Sequence, residues 1–168
     1  MVLRQFPEDM YNRLKEANAS FTTTIFVLVS AVQKLSRVSR IEPGMQLYRG
    51  ISANVRLPKL LSECDEFGCT GFTEWGFMST SSEMKVALSY AKAQKGAGLR
   101  PTLLVFTAGS VDRGADIRVF SQYPHEKEFL FVPCSFVERV GPGFIKVTPD
   151  LGVINQVPVK VRRRVVFL

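Results

Sequence analysis

The segment Tyr123-Pro124-His125-Glu126-Lys127-Glu128-Phe129-Leu130-Phe131 holds two carboxylates two residues apart, at the mouth of an apolar run. In extended backbone, residues i and i+2 point to the same side, about 6.6 Å apart. Glu126 and Glu128 are thereby expected to face one space while Lys127 faces away, with Phe129 to Val132 as strand interior. Two like charges held that close repel, so the pair needs a reason to be there. The bland alternative is a solvated strand end carrying ordinary surface acids. Two other stretches bear on the choice. Leu47-Tyr48-Arg49-Gly50 sets a cation on a strand, followed by backbone free of side-chain bulk. Gly76-Phe77-Met78-Ser79-Thr80-Ser81 gathers hydroxyls at the end of another strand.

The order of these pieces, an arginine strand, then Ser-Thr-Ser, then Glu-x-Glu, resembles the arginine-specific mono-ADP-ribosyltransferases. The likeness runs from about residue 20 to residue 148, and Ser121 to Pro133 is similar to that family's serine, acid-rich turn and following strand. The resemblance implies NAD as co-substrate, no metal, and transfer of ADP-ribose to an exposed arginine of a target protein with release of nicotinamide. It implies Glu128 as the catalytic acid, bonded to the nicotinamide ribose and favouring the ribosyl cation through its charge. Arg49 would hold pyrophosphate oxygens in its planar fork, and the Gly50 backbone would approach the nicotinamide carboxamide. Ser79 would orient Glu128 and the ribose, with Thr80 and Ser81 supporting the strand and completing the NAD-binding set. Glu126 matches the arginine-modifying branch. A guanidinium with a pKa above ~12 is a poor nucleophile until a carboxylate positions it and accepts a proton. The loop from about Arg113 to His125 would present the acceptor, with Phe120 and Tyr123 as contacts.

Each reading has a rival. Water in place of arginine would make the chain an NAD glycohydrolase, and loss of turnover would leave an NAD-binding or protein-interaction module. Arg49 could be an ordinary strand-end ion pair, and Ser79 to Ser81 could cap the following helix. His125 is the only histidine, and it reads as a turn residue because the spacing implies no cysteine or serine partner. Trp75 and Phe77 could stack on nicotinamide or belong to the core. Tyr90 could line the pocket or only pack.

The elements that must position these residues can be read from periodicity. A helix is expected to start at Pro7-Glu8-Asp9, with Met10, Leu14 and Ala17 on one face. A second runs from Ser20, as N-cap, to about Arg37, with Ile25, Leu28, Val29, Val32 and Leu35 at helical spacing. Met45–Ile51 reads as a strand, Asn54–Gly71 as loop with a short helical piece around Pro58–Cys64, and Phe77–Ser81 as a strand. A helix from Ser82, as N-cap, to Gln94 follows, closed by Lys95-Gly96-Ala97-Gly98. Beyond Pro101 the pattern changes to strands at Thr102–Thr107, Lys127–Val132, Ser135–Val140, Phe144–Val147 and Val157–Val166. This order predicts an α+β fold. With the resemblance, it becomes an ADP-ribosyltransferase-like fold of two packed, mostly antiparallel sheets, helices at the N-terminal side and an NAD cleft between the sheets. One catalytic domain is expected over 1–168, helical through 1–40 and β-rich over 45–168.

Composition sets outer bounds. An apolar fraction of 46% and thirteen phenylalanines in 168 residues suit a packed globule rather than a disordered chain. The formal charge of +7 favours acidic partners: nucleic acid, anionic lipid or a phosphorylated small molecule. Nucleic acid is kept as a lesser acceptor alternative. The cluster Lys160-Val161-Arg162-Arg163-Arg164 reads as a solvated edge. Cys64, Cys69 and Cys134 cannot all pair and match no common zinc spacing. No apolar stretch is long enough to span a membrane and the N-terminus lacks a secretory core. The expectation is a cytoplasmic protein, or an effector secreted without a standard signal.

Overall fold

The computed structural model describes residues 21–42, 44–52, 61, 63–64, 68, 70–92, 100–109 and 113–162. The elements among them are, in order, α1 (Thr22–Val38), β1 (Gln46–Ile51), β2 (Gly71–Glu74), β3 (Met78–Ser81), α2 (Met84–Ala91), β4 (Thr102–Thr107), β5 (Ala115–Asp116), β6 (Glu128–Phe131), β7 (Ser135–Arg139), β8 (Phe144–Thr148) and β9 (Gly152–Arg162). The α+β class expected from sequence is the one found. The expected helix from Pro7, the proposed cap Ser20, most of the Pro58–Cys64 piece and the Lys95–Gly98 stop lie outside the described residues.

Hydrogen bonding runs unbroken in the order β2-β7-β9-β4-β1-β3-β6-β5, with β8 also paired to β9. Strands β4 and β9 are parallel; the other pairs are antiparallel. The two expected sheets are therefore joined through β9, an 11-residue strand. Its first half pairs with β8 and β4, and its second half pairs with β7. Pro158 falls between the β8 and β7 pairings, where a missing N–H is tolerated. The two halves fold onto one core. Leu47, Met78, Phe106 and Phe129 from one half meet Val137, Val159 and Val161 from the other, with Phe72 of β2 packed against them. Full burial of a side chain of this size contributes about 1.5–3 kcal/mol. Because β9 runs between β7 and β4, Lys160 and Arg162 do not form the solvated edge expected of them; both pair with Glu138 of β7.

Helix α2 covers the opposite face, burying Ala87 and Leu88 against Leu103, Val105 and Ile154, with Tyr48 and Met84 alongside. It starts at Met84 with Glu83 at the N-cap position, one residue later than expected, and Ser82 is not its cap. Ser82 N–H donates to Lys127 O at 3.3 Å, while Ser81 Oγ accepts the Glu83 N–H at 2.9 Å. These bonds hold the junction extended until Glu83. Helix α1 buries Val32 and Ser36 and leaves Ile25 and Leu28 of the expected stripe exposed. Arg113 closes its C-terminal end, donating to Ser36 O at 3.0 Å and Arg37 O at 3.3 Å, where a cation also complements the helix dipole.

Candidate active site

Strands β3 and β6 lie side by side, with Ser81 opposite Glu128, Thr80 opposite Phe129 and Ser79 opposite Leu130. Cross-strand partners share a face, so Ser81 and Glu128 project to one side. Tyr48 of β1 is opposite Ser81 as well and joins that row. Glu126 does not reach the row as an i−2 neighbour on an extended strand. It ends a 3-10 turn, Pro124–Glu126, and Lys127 then adopts the left-handed conformation (φ 45°, ψ 54°). The expected straight Glu-x-Glu geometry is thus replaced by a turn and a kink. Lys127 faces away as expected, and its ammonium pairs with Glu83 at 2.5 Å, lowering the Glu83 carboxyl below its usual range.

The two acids still converge, beside Tyr90 of α2. The Tyr90 hydroxyl donates to Glu126 Oε1 at 2.6 Å. That bond comes first among the causes that push the Tyr90 pKa up to about 12; partial burial and the charges of Glu126 and Glu128 add to it. The turn behind Glu126 is fixed by Ser81, whose hydroxyl donates to Glu126 O at 2.6 Å. Thr80 Oγ1 donates to Phe129 O at 2.9 Å. Both hydroxyls, expected among the NAD-binding set, are buried and engaged inside the protein. Ser79 is half-buried, and among the described residues its hydroxyl has no hydrogen-bond partner, Glu128 included.

Arg49 approaches β3 from the other face, the one shared with Leu47 and Ile51 and packed into the core between the halves of the sheet. Strands β1 and β3 share a single ladder position, Tyr48 with Ser81, and part beyond it. Arg49 bridges that gap, donating to Ser79 O at 3.0 Å. Its other nitrogen pairs with Glu74 of β2 at 3.3 Å, with 15% of the side chain exposed. Burial lowers its pKa and Glu74 partly restores it. The ion pair weighed as the bland alternative is present, and it crosses from one half of the sheet to the other. Gly50 has a structural use not anticipated: a Cβ there would lie 1.8 Å from Ala87 O, so the missing side chain lets α2 rest directly on β1.

A family profile described as ART, NAD:arginine ADP-ribosyltransferase, matches residues 11–141. The chain belongs to this family. Among solved structures, ADP-ribosyltransferase HopU1 of Pseudomonas syringae aligns with a TM-score of 0.57 at 21% identity, covering 84% of this chain and 54% of that one. Vis toxin, an ADP-ribosyltransferase from Vibrio splendidus, aligns with a TM-score of 0.59 at 21% identity, covering 96% and 64%. At that identity the likeness is one of fold, and the chain spans 54% to 64% of the length of these two structures. No curated protein matches the sequence.

In this member of the family the segment before the acids is open. Val119, Phe120 and Tyr123 are exposed, and Tyr123 meets the ring of His125 edge-on, the centroids 6.1 Å apart. His125 is the exposed turn residue the sequence suggested. Trp75 is 78% exposed and not in the core. The nearby cations are engaged elsewhere, Arg118 with Asp116 at 2.5 Å and Lys127 with Glu83. Among the described residues no Lys or Arg pairs with Glu126 or Glu128, and no group of metal-ligating side chains occurs. Nor is any helix among them long and apolar enough to cross a membrane. Sequence reading missed Glu74 as the partner of Arg49, since nothing local marks a pair 25 residues apart. It also left Tyr90 without a partner.

Proposed function

We propose that the chain transfers ADP-ribose from NAD to arginine side chains of a target protein and releases nicotinamide. The observation that carries this reading is the pair Glu126 and Glu128, held at one mouth with no Lys or Arg among the described residues paired to either. Such a pair suits a guest that is, or becomes, positively charged. In the proposed reaction the bond between the nicotinamide nitrogen and the ribose anomeric carbon breaks, and nicotinamide leaves with the bonding electrons. Glu128 stabilises the ribosyl cation left behind. A guanidino nitrogen of the acceptor forms the new bond to that carbon and gives up its proton to Glu126. Ser79, whose hydroxyl has no partner among the described residues, is proposed to contact the ribose and Glu128, Arg49 the pyrophosphate, and the Gly50 backbone the carboxamide. Thr80 and Ser81 hold the strand and turn. The exposed loop carrying Phe120 and Tyr123 is proposed to meet the target protein, and residues 1–168 to act as one catalytic domain. The chain is proposed to work in a cytoplasm, its own or that of a cell it is delivered to.

Vis has been crystallised in complex with agmatine, a guanidino compound, and the same acceptor suits a test here. NAD and agmatine are incubated with the protein and the products resolved by mass. ADP-ribosylagmatine with free nicotinamide is the expected result. Free ADP-ribose without adduct would make the chain a glycohydrolase, and bound but uncleaved NAD would make it a binding module.

A further inference from the structure

We propose that Tyr90 is a positioning residue that fixes the Glu126 carboxylate for the incoming guanidino acceptor, an inference that rests on the transferase reading above. Tyr90 lies in the last turn of α2 and is 60% exposed, so its ring contributes little to the core. Its hydroxyl donates to Glu126 Oε1 at 2.6 Å. A carboxylate offers about four lone-pair sites, so this bond leaves Oε2 and part of Oε1 open to a forked guanidinium. The Glu126 backbone is held separately, through Ser81 Oγ on its carbonyl and the Lys127 ammonium on Glu83. What remains free is the glutamate side chain, which otherwise samples several rotamers. Tyr90 selects among them.

The donor is delivered at a fixed height. Ala87, Leu88 and Ala91 are buried beneath α2, and the helix backbone touches β1 at Gly50, where no Cβ would fit. Tyr90 follows from that contact by helical register. The neighbouring carboxylates keep the phenol protonated across the ordinary pH range, so it remains a donor. A tyrosine needed only for packing would not place its hydroxyl on the acid while leaving most of its ring in solvent.

Tyr90→Phe keeps the ring and removes the donor. With NAD and agmatine, adduct formation should fall about tenfold in kcat/KM for agmatine, the size of one hydrogen bond to a charged group. NAD hydrolysis should stay within about twofold, and the melting temperature should fall by no more than about 4 °C, the size of one exposed hydrogen bond. In a Glu126→Gln background, Tyr90→Phe should add no further loss, as expected of a residue acting through another. Equal losses of transfer and hydrolysis, or losses that multiply independently in the double variant, overturn the positioning role. So does a Tyr90→Phe protein that matches an active wild type. A wild type that forms no adduct removes the transferase reading itself, and the positioning role with it.

Discussion

Of the three consecutive hydroxyls on β3, those of Thr80 and Ser81 are bonded within the protein and that of Ser79 has no partner among the described residues, so replacing Ser81 and Ser79 separates structure from chemistry. Ser81 is 5% exposed; its hydroxyl donates to Glu126 O at 2.6 Å and accepts the Glu83 N–H at 2.9 Å. Ser81→Ala leaves one carbonyl and one N–H without a partner at the junction that holds the acid turn. Each unmade bond costs about 1–3 kcal/mol when buried. Glu83 and Glu126 are half-buried, so water recovers part, and the net expectation is about 2–3 kcal/mol. For a chain of this length that lowers the melting temperature by about 5–10 °C. Ser79→Ala removes a hydroxyl with no partner among the described residues and should change stability by less than about 0.5 kcal/mol, while nicotinamide release falls if Ser79 meets the ribose. Urea titrations followed by circular dichroism measure the first quantity, and nicotinamide release measures the second. The reasoning fails if Ser81→Ala is as stable as wild type, or if Ser79→Ala destabilises as much as Ser81→Ala.

Glu128→Gln keeps the side chain's size at the start of β6; it should cut nicotinamide release by about 10²–10³-fold with an unchanged melt, and a variant as active as wild type refutes the charge argument. Gly50→Ala sets a methyl 1.8 Å from a helix carbonyl, so a loss near 3 kcal/mol is expected, and a wild-type denaturation curve would show that α2 can lift away. The Tyr90 pKa is raised to about 12, so its contribution is complete below the unfolded tyrosine value of about 10 and is lost between there and about 12. Tyrosinate absorbance should show one late-titrating phenol that Tyr90→Phe abolishes; four phenols titrating together near pH 10 would contradict the bond to Glu126.

What could be read from sequence divides along the reach of the interactions involved. Strand β4 begins and ends as expected, because Pro101 and Gly109 flank a continuous apolar run. Strands β7 and β8 differ from expectation by one residue for the same reason. Strand β2 was missed: Gly71 to Glu74 is short, and its pairing partner on β7 lies more than sixty residues away. The start of β9 was placed five residues late because Asn155 and Gln156 interrupt the apolar pattern, although both lie in the ladder with β4 and β8. At the site, residue types were legible and shape was not. Left-handed backbone at a lysine is uncommon; here it is fixed by bonds from Lys127 to Glu83 and from Ser82 to Lys127, at the far end of β3. Gly50 was legible as a place without bulk, but only the packed helix shows what fills the space.

The charge layout argues for one orientation of the proposed co-substrate. Arg49 meets β3 at the Ser79 carbonyl from one face of the sheet, whereas Glu128 lies opposite Ser81 on the other face, two residues or about 6.6 Å farther along the strand. The gap between β1 and β3 separates a fixed cation from a pair of anions. An arginine buried this far stays charged despite the downward push of burial, because its ordinary pKa lies so high. NAD carries the complementary pattern, an anionic pyrophosphate and a cationic nicotinamide joined through one ribose. On the proposed reading, phosphate oxygens replace the Glu74 carboxylate on the arginine fork, and the ribose carbon losing nicotinamide lies on the Glu128 side. The reverse orientation would bring phosphate against two carboxylates and a pyridinium against a guanidinium, repulsive at both ends. Coulomb terms of about 1–4 kcal/mol per contact near a protein surface are enough to decide between the two.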